Sequence, residues 1–521
     1  MAEEFSRGKT YRTLDEQAER LSPAEERFER GRRTIGLFLG PPAFVAMLLL
    51  PLDLTWAQQA LAAIMLFTII YWLTEAIPIP VTAVVAMALC VLLGVAPVDD
   101  VFAAFGSSTL FVFMGAFIIA EAMTTHGLDR RFAFRVLSLP GVSRSTYSVI
   151  IAFGAIGLTL SAFISNTAAT AMLLPIGLGM MGALSGLITE RTGESDPTRL
   201  RFGTALMLMI AYGASVGGLI TPIGSPPNLI GIGFIEEQTG TTISFFEWTI
   251  TALPIVLVMF AALCVVLIAL NRPEISKIPG AGEYVAQERQ KLGVMSAGGR
   301  NTLIVFVLAV TFWILPGLVN LVLGEDSAIY TALSERLDEG VVAIVAAALL
   351  FVLPVSWRER KFTLTWNQAV NIDWGTILLF GGGIVLGTLL ADTGLAEAIG
   401  EGLVDALGVT SLVAITAISV VIAVLISETT SNTASAAVVV PIVIPIAVAA
   451  DVGPIIPALA ATFGASYGFM LPVSTPPNAI VYGSGLISIT KMVRSGVVFD
   501  IIGIILVVIG VSVMARLVGI A

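Results

Sequence analysis

The sequence predicts an all-α polytopic membrane protein: an inverted repeat with about 11 transmembrane helices, two re-entrant hairpins and two broken helices. Three observations predict it. Of the 521 residues, 56% are hydrophobic and only 12% charged, and the mean hydropathy is +0.94; a soluble domain carries roughly 25% charged residues. Apolar runs near 20 residues recur along the chain, the length a helix needs to cross the hydrocarbon core. Two polar phrases are each written twice inside this apolar sequence, Ser165-Asn166-Thr167-Ala168 with Ser431-Asn432-Thr433-Ala434, and Ser225-Pro226-Pro227-Asn228 with Thr475-Pro476-Pro477-Asn478. Polar residues at bilayer depth are costly and mark function.

The elements follow in order. Residues 1–34 hold Arg and Glu in near-equal number and lack the apolar stretch of a cleavable signal; they read as a solvated cytoplasmic arm. Spans are expected at 35–52, 57–76, 79–96 and 108–126. The stretch Asp129–Leu139 alternates Arg130, Arg131 and Arg135 with Phe132, Phe134, Val136 and Leu137, the pattern of an interfacial helix. Residues 145–186 are one apolar stretch interrupted by Ser161–Thr167, with Arg144 before it and Arg191, Arg199 and Arg201 after it. A segment that leaves on the side it entered is a hairpin. A broken span (200–238), a span (247–270), a basic loop and spans at 301–323, 341–357 and 374–394 come next. A second hairpin (410–450), a second broken span (455–490) and a last span (497–519) complete the chain. Cys90 and Cys264 both fall in spans, so no disulfide framework is expected.

The positive-inside rule tests this map. With a cytoplasmic N-terminus, only Arg336 and Arg516 of the 27 Lys and Arg face outward. Reading either hairpin as a full crossing inverts every later loop and spoils the asymmetry. The first hairpin therefore opens from the cytoplasm and the second from outside. The repeat is wider than the two phrases: Phe113, Gly115, Gly127 and Leu128 match Phe380, Gly382, Gly394 and Leu395, and Gly213-Ala-Ser matches Gly464-Ala-Ser. An odd number of crossings separates the copies, which makes the repeat inverted, the architecture of many secondary transporters.

The doubled phrases carry the chemistry. Ser165-Asn166-Thr167 lies at the tip of its hairpin, and Ser and Asn are strong N-caps. The second arm begins there with free N–H groups aimed at the tip, and Ser431–Thr433 repeats this from the opposite face. Ser225-Pro226-Pro227 and Thr475-Pro476-Pro477 each read as a cap followed by proline at the first helical position, after a break running from Gly217-Gly218 to Gly224 or from Gly468 to Ser474. Four helix N-termini would then meet near the midplane, each equivalent to roughly half a positive charge, a site suited to an anion. No Lys or Arg lies within either tip or either break, so a buried dianion needs further compensation. Bound cations would supply it, held by hard oxygens from Ser161, Ser165, Asn166 and Gly224 in one half and Ser427, Ser431, Asn432 and Ser474 in the other.

These residues resemble the divalent anion/sodium symporter family, together with Trp72-Leu-Thr-Glu-Ala-Ile-Pro78, Phe380-Gly-Gly-Gly and Met470-Leu-Pro-Val-Ser-Thr-Pro-Pro-Asn-Ala-Ile480. The likeness runs from about residue 35 to the C-terminus. It implies a bacterial dicarboxylate transporter of the inner (plasma) membrane that works as a homodimeric elevator in contact with lipid. The scaffold would be residues 35–144 and 301–409. The moving transport halves would be 145–270 and 410–521, with 271–300 a cytoplasmic loop. Asn166, Thr167, Asn432 and Thr433 would hold the substrate carboxylates, helped by Ser225 with Pro226 and Thr475 with Pro476. Ser161, Ser165, Asn166 and Gly224 would line one sodium site; Ser427, Asn432 and Ser474 would line the other. Ser427 stands where the family often has Thr, and Ser474 where Ala or Gly is common; both keep or add an oxygen.

Sodium symport of a succinate-, malate- or fumarate-like anion is thus the leading expectation. A sodium-independent dicarboxylate exchanger and a citrate or sulfate transporter are the alternatives. No nucleic-acid partner is expected. Glu75, Glu121, Asp373 and Glu428 are acids in or near spans, and Glu428, three residues before Ser431, reads first as a hydrogen-bonded structural acid. No glycine loop precedes a Lys-Ser/Thr pair and no His-Glu-x-x-His occurs, so ATP-driven transport and intramembrane zinc catalysis have no support.

Overall fold

Peptide groups in lipid have no water to bond, so an apolar chain of this kind must satisfy them within helices. The computed structural model does so, and it describes residues 23–192, 200–276, 280–324, 326–407 and 410–521. The first repeat runs α1 (Pro23–Leu49), α2 (Trp56–Thr74), α3 (Ile79–Leu92), α4 (Ser108–Thr125), α5 (Leu128–Leu137), α6 (Thr146–Ser161), α7 (Asn166–Thr192), α8 (Arg201–Gly217), α9 (Pro226–Thr239) and α10 (Phe245–Leu270). After α11 (Ala281–Lys291) the second repeat runs α12 (Ala297–Leu323), α13 (Glu339–Val352), α14 (Trp374–Asp392), α15 (Leu395–Leu407), α16 (Leu412–Thr429), α17 (Asn432–Ala449), α18 (Ile455–Ala465), α19 (Pro476–Tyr482) and α20 (Ile489–Val518). Short helical turns and one two-stranded ribbon, Pro354–Ser356 with Lys361–Phe362, connect them. Among the described residues, eight helices are long and apolar enough to cross a membrane.

The two repeats pack alike. The first hairpin is α6 and α7 joined by Ala162–Ser165; the second is α16 and α17 joined by Thr430-Ser431. The leading arm of each lies along the helix that precedes its half's break, α6 on α8 and α16 on α18. The halves then cross over, for α9 packs on α17 of the other half and α19 packs on α7. Away from these, α4 packs on α13 and α3 on α14, while α10 lies against α20. The interfacial helix expected near 129–139 is α5, and α15 is its repeat, each entered through a left-handed glycine, Gly127 and Gly394.

Three features depart from the sequence expectation. The helix of the first span starts at Pro23, so the described part of the 1–34 arm is not a separate solvated segment. Arg32 and Arg33 pair with Glu29 and with Glu75 at the end of α2, so their charges are met by carboxylates of the protein. Residues 1–22 and Arg199 lie outside the described residues. Helix α11 occupies the basic loop 271–300, and α15 lies where only a connection was read.

Helix seams between the hairpin arms and the unwound helices are made by small residues, as in membrane bundles generally. Gly213 of α8 lies on Gly154 of α6, where an added Cβ would be 3.0 Å from the Gly154 Cα. One turn on, a Cβ at Gly217 would collide with the Leu158 backbone. The second half repeats this contact, with Gly464 on the Val420 backbone. Gly217→Val should therefore destabilise the protein by about 1–3 kcal/mol or more, read as a lower midpoint in thermal unfolding. Gly402→Ala, on a helix with open space beside it, should be neutral or slightly stabilising.

Candidate functional site

The hairpin tips are built by their caps. Ser165 Oγ accepts from the Ala168 amide at 3.2 Å, and Ser431 Oγ accepts from the Ala434 amide at 3.2 Å. One further bond closes each tip across the turn: Ser161 Oγ donates to Asn166 Oδ1 at 2.5 Å, and Ser427 Oγ donates to Asn432 Oδ1 at 2.8 Å. In the second hairpin Ser435 Oγ also donates to the Ala423 carbonyl at 2.6 Å, so its arms stay antiparallel beyond the tip. The first two amides of α7 and α17, those of Asn166, Thr167, Asn432 and Thr433, have no acceptor within their own helices. Asn432 and Thr433 are buried, whereas Asn166 and Thr167 are half-buried.

The breaks are held by residues that the sequence reading quoted but gave no role. Asn228 Nδ2 donates to the Gly218 carbonyl at 2.7 Å and to the Thr221 carbonyl at 2.9 Å. Asn478 Nδ2 donates to the Gly468 carbonyl at 2.9 Å and to the Leu471 carbonyl at 3.0 Å. Each side chain thus replaces the bonds that the preceding helix gives up when it unwinds. Both are fully buried, and neither Oδ1 has a partner among the described residues. Their appearance at the third position of both Pro-Pro helices was the available signal.

The Pro-Pro helices behave differently from the expectation of capped ends with donors attached. An N-cap side chain normally takes the amide of the second or third helical residue. Here the second residue is proline, and the third amide is taken by backbone: Asn228 N donates to Ser225 O at 3.1 Å, and Asn478 N to Thr475 O at 3.0 Å. Neither the Ser225 nor the Thr475 hydroxyl caps its helix. Both hydroxyls are left for another group, while Pro226 and Pro476 contribute no N–H. Helix α19 has only seven residues. Amide donors at the site therefore come from the two hairpin ends, and the Pro-Pro ends supply hydroxyls.

The oxygens gather most tightly in the first half. The point where a Cβ of Gly224 would stand is 2.6 Å from Gly218 O, 2.9 Å from Ser161 O and 3.1 Å from Ala162 O. Asn166 Oδ1 lies against Gly218, and Ser161 Oγ is bonded to that same Oδ1. This cradle of hard oxygens is one a side chain would fill, and the donor set suits a hard cation. Ser165 is exposed and engaged as a cap, apart from these contacts. In the second half, the point where a Cβ of Gly468 would stand is 2.9 Å from Ser427 Oγ, 3.0 Å from Ser474 Cβ and 3.3 Å from Asn432 Oδ1. The Ala465 carbonyl also lies 2.8 Å from Ser427 Oγ and competes with Asn432 Oδ1 for its single proton. Ser474 takes the place of Gly224, and its hydroxyl is turned to Glu428, 2.7 Å from Oε2. Glu428 further accepts from the Met470 amide at 2.8 Å and the Leu471 amide at 3.3 Å, the structural role that its position suggested.

One cation does approach a tip, although none lies in its sequence. Arg32 Nη1 of α1 donates to the Thr429 carbonyl at 2.8 Å, at the end of α16. Glu29 and Glu75 sit beside the same guanidinium, so little of its charge remains for a ligand.

Comparison with known proteins follows this geometry closely in extent. The family profile "Sodium:sulfate symporter transmembrane region" matches residues 34–520. A sodium-dependent dicarboxylate transporter, SdcS, of Staphylococcus saprophyticus is 34% identical over 479 residues, covering 91% of this chain and 90% of that protein. SdcS of Staphylococcus aureus is 33% identical over 504 residues, covering 96% and 94%. Among solved structures, Neisseria gonorrhoeae MtrF, described with a class of antimetabolite efflux pumps, aligns with a TM-score of 0.52 at 14% identity, covering 88% of this chain and 95% of that one; this likeness concerns the fold alone.

Removing either clamp should be costly. Asn228→Ala or Asn478→Ala leaves two buried carbonyls without their donor, and each should destabilise the protein by about 1–3 kcal/mol. Asn228→Asp, the same shape without the N–H groups, should do no better in the same thermal unfolding measurement.

Proposed function

The chain belongs to the sodium:sulfate symporter family, and from that premise we propose that it imports a small dicarboxylate of the succinate, malate and fumarate class by symport with sodium. As a member, the protein is a multi-pass membrane transporter and not an enzyme. The observation that carries the finer reading is the doubled Ser–Asn bond at the hairpin tips, Ser161 to Asn166 and Ser427 to Asn432. In each half it fixes an asparagine with its Oδ1 toward the broken helix, where a cation would be held, and leaves the end of α7 or α17 to meet an anion.

The division of labour follows from the donors present. Asn166, Thr167, Asn432 and Thr433 offer main-chain N–H and side-chain donors to the two carboxylates. Ser225 and Thr475 add hydroxyls that their own helices do not use. Sodium would be held in the first half by Ser161, Asn166 and the carbonyls around Gly224, and in the second by Ser427 and Asn432 with Ser474 beside them. Each cation offsets part of the anion's charge, so neither binds as well alone. That reciprocity is the basis of coupling. Relatives named as sodium-dependent dicarboxylate transporters support this choice of ion and substrate. The proposal includes an elevator in which α6–α10 and α16–α20 move as a unit in a homodimer, in the plasma membrane with a cytoplasmic N-terminus. The crossed packing of α9 on α17 and α19 on α7 supports a single moving body.

Succinate uptake into proteoliposomes tests the reading. An inward sodium gradient should raise uptake by at least about tenfold over sodium-free buffer. Thr167→Ala and Thr433→Ala should each raise the half-saturating succinate concentration about tenfold, the scale of one hydrogen bond to a charged group. Full uptake without sodium, or unchanged affinity in both variants, would count against it.

A further inference from the structure

Each break has one more carbonyl held by a ring donor, besides the two that its asparagine takes. In the first break the Leu219 carbonyl, next after Gly218, accepts from Trp248 Nε1 of α10 at 3.0 Å. In the second the matching Phe469 carbonyl, next after Gly468, accepts from the Tyr212 hydroxyl of α8. The Met492 carbonyl stands farther from that hydroxyl, at 3.4 Å. Trp248 and Tyr212 are both fully buried. Gly496 of α20 also abuts the Phe469 carbonyl but brings no donor to it, and an added Cβ there would collide.

The two donors come from the same repeat, although the breaks do not. Tyr212, just before Gly213-Ala-Ser, matches Phe463, just before Gly464-Ala-Ser, and at the same spacing Trp248 matches Phe499. Each break therefore has beside it one aromatic pair that joins the two halves. Trp248 stacks on Phe463 with ring centroids 5.2 Å apart, and Phe499 stacks on Tyr212 at 6.4 Å. The donor sits on opposite members of these matched pairs. For the first break it is the indole of α10, within its own repeat. For the second it is the phenol of α8, from across the repeat boundary, because Phe499 has nothing to donate. Tyr212 also packs on the Phe469 ring, with centroids 4.8 Å apart, so packing holds its ring independently of the hydroxyl.

A buried carbonyl left without its donor is costly, and the backbone turns to find another. Holding the Leu219 carbonyl fixes the peptide that follows Gly218, whose own oxygen belongs to the cradle at Gly224. Holding the Phe469 carbonyl fixes the peptide that follows Gly468, which faces Ser427 Oγ and Asn432 Oδ1. The ties to the hairpins act on other groups. Thr221 donates to the Ala162 carbonyl in the first half, and Glu428 takes the Met470 and Leu471 amides in the second.

We propose that Tyr212 is a positioning residue of the second cation site, supplied by the first repeat, and that Trp248 is its counterpart for the first site. Tyr212 acts through the Phe469 carbonyl and touches no ion. The first site is thus set within its own repeat, and the second is completed only where the two repeats meet. The inference rests on the reading of the two oxygen clusters as sodium sites.

Titration of the purified full-length protein with radiolabelled sodium, without dicarboxylate, tests it. Gly224→Ala fills the first cradle and leaves the second site to be read alone; Ser427→Ala leaves the first. Tyr212→Phe removes one hydroxyl and keeps the ring. It should weaken the remaining ion at least about tenfold in the Gly224→Ala protein and less than about twofold in the Ser427→Ala protein. Trp248→Phe should do the reverse. Adding Phe463→Tyr to Trp248→Phe builds the arrangement of the second half into the first, and should return the first-site affinity to within about twofold of its starting value. Equal weakening of both sites, a swap that restores nothing, or no effect of Tyr212→Phe in the Gly224→Ala protein would overturn the proposal. The Trp248 and Phe463 arm decides the matter by itself if Tyr212→Phe does not fold. Wild-type protein that binds no sodium, or two ions still bound after both Gly224→Ala and Ser427→Ala, would instead overturn the sodium-site reading and this inference with it.

Discussion

Backbone that leaves a helix inside a bilayer must find its hydrogen bonds within the protein, and this constraint organises the site. The chain unwinds at 218–225 and 466–475, and a single buried asparagine in each half, Asn228 or Asn478, takes up two of the carbonyls released. The Gly218 carbonyl that Asn228 holds keeps a second lone pair, and it meets the Ser161 and Ala162 carbonyls of the hairpin tip at Gly224. The cradle at Gly224 exists because its three carbonyl oxygens are aimed at a position with no side chain. The double prolines act in the same sense. By removing the second helical N–H they leave the Ser225 and Thr475 hydroxyls uncommitted to their own helices.

The halves share a plan but differ in how each break is tied. Small residues close the seam between hairpin arm and unwound helix in both. In the first half hydroxyls and carbonyls suffice, through Ser161, Thr221 and Asn166. In the second, Glu428 gathers the break to α16, and Ser474 fills the position that Gly224 leaves open. A repeat that began symmetrical thus carries two inequivalent oxygen clusters. The Arg32 contact to Thr429 adds a second asymmetry, because it links the first helix to one hairpin tip and not to the other.

Much of this was legible in the sequence because membrane segments write themselves plainly: charge is scarce, so each basic residue reports a side, and a polar phrase repeated in apolar surroundings stands out. The hairpins, the breaks and the caps of Ser165 and Ser431 followed from those signals. What escaped depended on contacts between distant segments. The Asn228 and Asn478 clamps act on carbonyls 7 and 10 residues back, across a break whose path no periodicity specifies. Arg32 looked like part of a solvated arm because its partner, Glu75, lies at the end of the next helix.

Two oxygen clusters, one at each break, are the sites proposed to receive one cation each. Counting radiolabelled sodium bound per chain at saturating dicarboxylate tests this most directly. Two ions should bind to the wild type and one to each of Gly224→Ala, which fills the first cradle, and Ser427→Ala, which strips an oxygen from the second. An unchanged count in both variants, or a single ion in the wild type, would contradict it.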